Sequence, residues 1–324
     1  MDDTGTETDV LVLGAGIAGL TAAAALKQAG RHVTVVDKGR GVGGRMATRR
    51  FDGATFDHGA PFLATVHPPE AIGLAAAQRA GVLLPWDTEV PASHPPMRRW
   101  RGQPSMSAIA KHLASGLDVH LETTVTSLRT CGDAWCATTL AGPSITARSV
   151  VATAPLPQSL ALLDAGHVAL DPALRARLES VRYERCLAVM AVLAAPSNIP
   201  APGDLVPTQG PIARLVDNQL KGISAVPSVT LHATHAFSLA HWDEDRDATG
   251  RHLLASAEMW LGAPVTSFQV HGWRYSQATV TDPALMTVAG ASPLLVLAGD
   301  AFGGHGVEGA ARSGMAAAAR ILEG

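Results

Sequence analysis

Twenty-eight residues near the start of the chain, VLVLGAGIAGLTAAAALKQAGRHVTVVD at 10–37, constrain most of what the rest can fold into. An apolar run at 10–13 has the composition of a buried strand. Gly14-Ala15-Gly16-Ile17-Ala18-Gly19 turns it, helix formers continue to Gly30, and a second strand-type run at 32–36 ends on Asp37. Strand, glycine turn, helix, strand and acid in this order make the βαβ unit that binds an adenine dinucleotide. Gly14 permits the tight turn, Gly16 lets a diphosphate approach the backbone, and Gly19 lets helix and strand pack closely. The phosphates then sit on free N–H groups at the helix N-terminus, where the macrodipole favours negative charge. Asp37, 18 residues beyond Gly19, can accept both hydroxyls of an adenosine ribose and repel a 2′-phosphate.

A chain of 324 residues, 47% hydrophobic and 16% charged, suits one large or two intertwined domains with a substantial core. The net charge of −3 gives no electrostatic footprint for nucleic acid or an anionic membrane. Cys131, Cys136 and Cys186 are odd in number and lack metal-ligand spacing, so they read as free thiols. The uncharged run at 10–26 is broken by glycines and too short to span a bilayer. A soluble, cytoplasmic protein with a disordered leader, MDDTGTET, is the expectation.

Beyond Asp37, Lys38-Gly39-Arg40-Gly41-Val42-Gly43-Gly44-Arg45 makes a loop able to lie flat against a ligand, with arginines for phosphate. Phe56-Asp57-His58-Gly59-Ala60-Pro61 reads as a strand end and a turn. The pattern then changes: a helix at 70–80 is followed by a stretch bearing Trp86, Pro91, Pro95, Pro96 and Trp100. A helix at 107–115, a strand at 119–128, and a hairpin at 134–140 and 144–151 around Gly142-Pro143 come next. Residues 157–285 form a second excursion, with helices at 171–181 and 249–261 and strands at 186–193, 212–216, 229–234 and 266–275. The two excursions together suit one antiparallel sheet. A buried strand at 294–298 leads into Gly299-Asp300-Ala301-Phe302-Gly303-Gly304-His305-Gly306-Val307-Glu308-Gly309 and an Ala-rich helix at 307–322. The literal GxGxxG at 304–309 lacks a following strand and acid, so its glycines keep backbone free to face a ligand.

Gly14-x-Gly16-x-x-Gly19, Asp37, Arg40 with Gly43-Gly44-Arg45, Asp57-x-Gly59, Gly299-Asp300 and Glu308-Gly309-Ala310 together resemble the amine-oxidase-type flavoprotein superfamily. Within it, DKGRGVGGRMATRR and RWRGQPSMSAIA resemble the bacterial renalases. The resemblance implies an α/β fold: a Rossmann-type FAD-binding domain at 1–64, 104–156 and 287–324. A mixed-sheet α+β substrate domain would occupy 65–103 and 157–286. It implies non-covalent FAD, with Asp37 on the adenosine ribose and Arg45, Gly43 and Gly44 along the diphosphate and flavin side. Val125 would pair its backbone with adenine, Asp300 would meet the diphosphate or ribityl chain, and the N–H groups of Val307, Glu308, Gly309 and Ala310 would face the flavin O2 edge. A helix N-terminus there stabilises the negative charge of reduced flavin. The implied reaction is oxidation of the 1,2- and 1,6-dihydro isomers of NAD(P)H at flavin N5. O2 takes up the electrons as hydrogen peroxide. Such a dihydropyridine becomes aromatic on losing hydride, so little acid–base machinery is needed.

Three other readings stand beside it. Amine oxidases of this superfamily place an aromatic side chain two residues before the Glu-Gly of the last helix, whereas this chain has Gly306 there and only two tyrosines. A desaturase or other tailoring enzyme, and a non-enzymatic flavin sensor, are the remaining classes. The resemblance departs at Ala301, where renalase-like chains carry an aromatic, and in the loop holding His305. His235, Trp242, Trp273, Tyr275 and His305 are the candidate pocket residues. His232 and His235, three apart on an expected strand, point to opposite faces and do not suit a shared metal. The final helix reads as core packing along one face.

Overall fold

A computed structural model describes residues 6–86 and 97–324. The first half of the chain contributes β1 (Thr6–Leu13), α1 (Ile17–Gln28), β2 (Val33–Val36), β3 (Thr48–Phe51), β4 (Ala54–Asp57), β5 (Leu63–Thr65), α2 (Ala75–Arg79), β6 (Leu83–Pro85) and β7 (Arg98–Gly102). Then come α3 (Met106–Ala114), β8 (Asp118–His120), β9 (Val125–Cys131), β10 (Ala134–Thr139), β11 (Ser144–Ala152), α4 (Leu156–Ala165) and α5 (Pro172–Glu179). The second half adds β12 (Arg182–Leu193), β13 (Asp204–Leu205), β14 (Ile212–Asp217), β15 (Ser228–Ala233), α6 (His235–Ala240), α7 (Arg246–Ser256), α8 (Glu258–Leu261) and β16 (Val265–Val280). It closes with β17 (Thr287–Ala291), β18 (Leu294–Leu297) and α9 (Gly306–Leu322).

The largest sheet runs β17-β18-β11-β1-β2-β8, with β18, β11, β1, β2 and β8 parallel, and the β9–β10 hairpin hangs from β11. Residues of β1 alternate between its two faces. Val10 and Val12 join the core of α1, α3 and α9, with Leu20, Ile109 and Ile321; Leu11 and Leu13 join Trp135, Leu160 and Phe302 on the other side. Strands from early and late in the chain therefore join one sheet, with β1 and β18 on either side of β11. The last helix packs on the first, so closely that a Cβ on Gly314 would sit 2.1 Å from the Ala18 carbonyl oxygen. Thr21 also donates to the Ala311 carbonyl, at 3.3 Å.

A second, antiparallel sheet runs β13-β14-β15-β12-β16. One face carries the core of α6, α7 and α8, with Leu187, Val189, Phe237, Trp242 and Leu253. The other sets Met190 and Val192 against Ala54 and Phe56 of the β3–β4 hairpin. Strands β5, β7 and β6 make a third sheet of their own, so the two excursions do not form one sheet as expected. Asp204 joins them instead, accepting from Arg99 at 2.7 Å and from Arg214 at 2.6 Å.

Several local expectations are corrected. The first strand starts at Thr6, so residues 6–8 of the expected leader are sheet, and residues 1–5 fall outside the description. The expected strand at 119–128 is two, because the backbone turns at Glu122 with φ of 53°. The expected helix at 70–80 divides at Gly73 into one 3-10 turn and α2. Cys131 and Cys136 are joined as a disulfide, because the antiparallel hairpin brings their Cα atoms to 5.9 Å; only Cys186 is a free thiol. Pro91, Pro95 and Pro96 lie outside the described residues. Among those described, no helix is long and apolar enough to cross a membrane.

Candidate active site

The site grows from the ends of β1, β11 and β18. Gly14 N donates to the Val36 carbonyl at 2.8 Å and Thr153 N to that of Leu13 at 2.9 Å, which sets the first glycine turn beside the end of β11. A Cβ on Gly19 would lie 1.9 Å from the Gly14 oxygen, so only glycine lets α1 start this close to the turn. Helices α1 and α9 both begin without a side-chain cap, leaving N-terminal amides open to a ligand. Space is open beside Gly16, Gly304 and Gly306, where an added Cβ would meet nothing within 4 Å. These features fit a diphosphate-bearing cofactor.

Asp37 ties the end of β2 to this turn. Its carboxylate accepts from Ala15 N at 2.7 Å and Gly39 N at 2.6 Å. Thr123 N donates to the Asp37 carbonyl and Glu122 N to that of Gly39, which carries the segment leading to Val125 alongside. Val125 opens β9, and among the described residues β10 is that strand's one partner. The glycine loop lies on the turn: Gly43 N donates to Ala15 O at 2.8 Å, and Gly16 and Gly43 form a bridge. Lys38 points away to Gln158, at 3.2 Å.

Arg45 is expected along the diphosphate and flavin side and Asp300 at the diphosphate or ribityl chain; in the structure the two side chains pair with each other. The guanidinium grips the carboxylate through both nitrogens, Nη2–Oδ1 at 2.7 Å, and donates to the Tyr275 carbonyl. Burial opposes the charge on Arg45 and Asp300 more than restores it. Helix α9 starts at Gly306, one residue before the expected position, so its unpaired amides are those of Gly306, Val307 and Glu308, while Gly309 and Ala310 enter the helical ladder. The Glu308 side chain turns outward to Thr65 and His67, accepting from His67 N at 2.9 Å. Burial works against its charge, but these hydrogen bonds win and hold the carboxyl below its ordinary range.

Facing this cradle is a cluster of flat rings. Trp273 Nε1 donates to the His58 carbonyl at 2.8 Å, and His232 Nε2 lies 3.3 Å from the same oxygen. His58 stacks on Trp273 with centroids 5.4 Å apart and meets His271 edge-on at 5.0 Å. Gly59 follows directly: its Cβ would fall 1.9 Å from the Arg45 carbonyl oxygen and 3.3 Å from the Trp273 ring. Burial, then the neighbouring His271 and Arg49, push His58 down to about 3, and burial pushes His232 to about 4. His58 Nδ1 is buried with no hydrogen-bond partner among the described residues. Unfolding returns both imidazoles to about 6.5. Their neutral forms therefore contribute stability in full above pH ~6.5, and it is lost as the pH falls towards 4. The expected slope is on the order of 2–3 kcal/mol per pH unit for the pair. Denaturation midpoints at pH 7 and pH 5 check this; equal midpoints would remove the buried-imidazole account.

Of the expected pocket residues, Trp273 and Tyr275 stand on β16 beside the cradle. His305 reaches it indirectly, with Nδ1 2.8 Å from the Ala278 carbonyl of the same strand. Two do not join them. His235 begins α6 rather than lying on a strand, and its Nδ1 accepts from Arg185 N at 3.0 Å. Trp242 packs on the helix-covered face of the second sheet. The two tyrosines touch, Tyr183 against Tyr275 at 5.4 Å and 76°, and the Tyr183 hydroxyl accepts from Leu156 N. Sequence reading missed His58 and His271, although His58 sits inside the Asp57-x-Gly59 motif. It also missed Lys221, fully buried with Nζ 2.6 Å from Asp57, which further accepts from Thr48 and from Met106 N. No group of metal-ligating side chains occurs among the described residues.

A Rossmann sheet whose glycine turn leads into an uncapped helix, with a second uncapped helix packed on the first and a second sheet beside it, is the architecture of an FAD-dependent oxidoreductase. Residues 12–78 match the NAD(P)-binding Rossmann-like domain and residues 78–322 match flavin containing amine oxidoreductase. The chain belongs to the flavin-containing amine oxidoreductase family. Its fold is similar to that of cyclohexylamine oxidase from Brevibacterium oxydans IH-35A, with a TM-score of 0.74 and 15% identity over 98% of this chain and 99% of that one. It is similar also to a putative protoporphyrinogen oxidase from Exiguobacterium sp. 255-15, at 0.71 and 13% over 98% and 99%. Putrescine oxidase bound to putrescine gives 0.71 and 14% with the same coverage. At these identities the likeness is one of fold. A 4,4'-diapophytoene desaturase from Staphylococcus haemolyticus (strain JCSC1435) is 50% identical over 50 residues, 15% of this chain and 10% of that protein.

Proposed function

We propose that the chain is a renalase-like oxidase that converts the 1,2- and 1,6-dihydro isomers of NAD(P)H to NAD(P)+, with O2 as electron acceptor giving hydrogen peroxide. In this reading 1–64, 104–156 and 287–324 hold non-covalent FAD and 65–103 with 157–286 hold the substrate. When bound, FAD supplies the hydride-accepting chemistry and passes two electrons to O2. Asp37 fits the adenosine ribose, the Val125 backbone the adenine, and the Arg45–Asp300 pair with the Gly43–Gly44 backbone the diphosphate side. The amides at the start of α9 fit the electron-rich edge of the ring.

The observation that carries this reading is the wall of neutral, flat rings, His58, His271 and Trp273, beside Gly59. Such a wall stacks a planar pyridine ring, fixes its orientation and excludes water. Burial holds the three nearby histidines, His58, His232 and His271, below their ordinary range, so none brings a cation against a ring that becomes positive as it loses hydride. Amine oxidation is the second reading, favoured by the family match. Against it stands Gly306, the position where amine oxidases of this superfamily carry an aromatic side chain.

Anaerobic stopped-flow mixing with 1,2-dihydro NAD, 1,6-dihydro NAD, ordinary NADH and a panel of amines separates the two. The first two are expected to bleach the flavin absorbance fastest; preferential bleaching by an amine overturns the proposal.

A further inference from the structure

The acidic residue in the first turn of α9 is Glu308, and it stands among the amides that the helix leaves open. A carboxylate at such a position offsets the partial positive charge of a helix N-terminus. Here the side chain, 14% exposed, reaches out of the helix to the end of β5. Its Oε1 lies 2.5 Å from the Thr65 hydroxyl, 2.9 Å from His67 N and 2.7 Å from His67 Nδ1. Val66 N is 3.2 and 3.3 Å from its two oxygens. A hydroxyl, two backbone amides and an imidazole therefore converge on one carboxylate. An ionised carboxylate only accepts, so His67 Nδ1 carries the proton between them.

Holding the helix in place does not require this. An added Cβ on Gly314 would lie 2.1 Å from the Ala18 carbonyl oxygen, and one on Gly309 2.1 Å from that of Gly304. One on Gly73 would lie 2.9 Å from Met315 Sδ. Close packing thus fixes α9 at its start and on two sides further along. Arg312, one turn beyond Glu308, donates to the Gly303 carbonyl at 3.4 Å. The ion pair that Glu308 makes among the described residues is with His67. A helical turn rises about 5.4 Å, well inside the Debye length of about 8 Å, so the charge on Glu308 is felt by whatever the open amides hold. Each donor on the carboxylate reduces that field.

We propose that Glu308 and His67 together set how readily the bound flavin takes up electrons, the carboxylate opposing reduction and the imidazole relieving it. This assignment rests on the placement of the α9 amides against the electron-rich edge of the ring, and not on which substrate is oxidised. Both are positioning residues, acting through the helix end and not by contact with the reacting atoms. Residues 65–67 open the excursion proposed to hold the substrate, so the pair also joins that part of the chain to the cofactor.

The test is anaerobic reduction of the FAD-loaded protein in equilibrium with a reference dye of known potential, which reads the flavin and not turnover. Glu308→Gln removes the charge and keeps the size of the side chain. It is expected to shift the equilibrium about two- to fivefold toward reduced flavin, the scale of one charge at a helix end. His67→Ala leaves the carboxylate less relieved and should shift it the other way; His67→Asn, which restores a donor, should recover part of that change. Adding His67→Ala to Glu308→Gln should change nothing further, because the imidazole acts through the carboxylate. Flavin content and melting temperature of each variant report folding. Shifts of the two single variants in the same direction, or in neither, overturn the assignment and leave the pair as a brace. If the opposite shifts occur while neither dihydro isomer bleaches the flavin, the pair stands and the substrate reading falls. If the isomers bleach it and the dye equilibria are unchanged, the reverse holds.

Discussion

Replacing Lys221 with alanine is expected to lower unfolding free energy by about 3–5 kcal/mol, the scale of a buried ion pair that loses one partner. Both side chains are fully buried, and Asp57 is left with a charge that Thr48 and one backbone amide cannot neutralise. Burial lowers the lysine pKa and Asp57 works against that shift, so the two groups depend on each other for their charges. The lysine also donates to the Pro61 carbonyl and lies 5.8 Å from the Trp86 ring. Its loss therefore loosens the turn that carries His58 and Gly59. Urea denaturation measures the effect, and Asp57→Asn combined with Lys221→Met should recover a large part of it by removing both charges. An unchanged midpoint for the single variant would show that the pair contributes nothing.

Replacing Gly59 with alanine is expected to strip the protein of flavin. The new methyl group would lie 1.9 Å from the Arg45 carbonyl oxygen and 2.8 Å from its carbon, so one backbone segment must move by more than an ångström. Ala60 N donates to that same oxygen at 2.7 Å, which leaves no slack on the far side. Overpacking of this kind costs about 1–3 kcal/mol. More to the point, it displaces Arg45 from Asp300, the contact that fixes the early glycine loop to the last strand. The ratio of absorbance at 450 nm to that at 280 nm in purified protein is the measurement. Full flavin content would mean that the cradle tolerates movement at Arg45.

Much of this was legible in the sequence, for a physical reason. Glycine spacing, the parallel apolar strands and Asp37 are local signals, and each reports a backbone requirement met within a few dozen residues. The βαβ unit, the final strand and helix, and the long strands of the second sheet follow from them. What escaped depends on distant partners. Lys221 reads as a surface lysine until Asp57, 164 residues away, is placed beside it. The run at 119–128 alternates like one strand, but alternation records which face is buried and not which sheet is joined. The same limit hid the division of the two excursions between separate sheets. Trp242 and His235 had the chemistry of pocket residues, yet α6 and α7 carry them to the helix-covered face. His58 was hidden by the opposite effect, lying inside a recognised motif and taken as part of its turn.

Because Arg45 and Asp300 are 255 positions apart, their pairing has a consequence for synthesis. A growing polypeptide can complete β1, α1 and β2 early, but the opposing carboxylate is added only 255 residues after Arg45. Until then the basic loop has no counterpart, and α1 lacks the helix that covers it. Capture of the nucleotide is thus tied to synthesis of Asp300 and α9, and fragments halted before that point should emerge colourless.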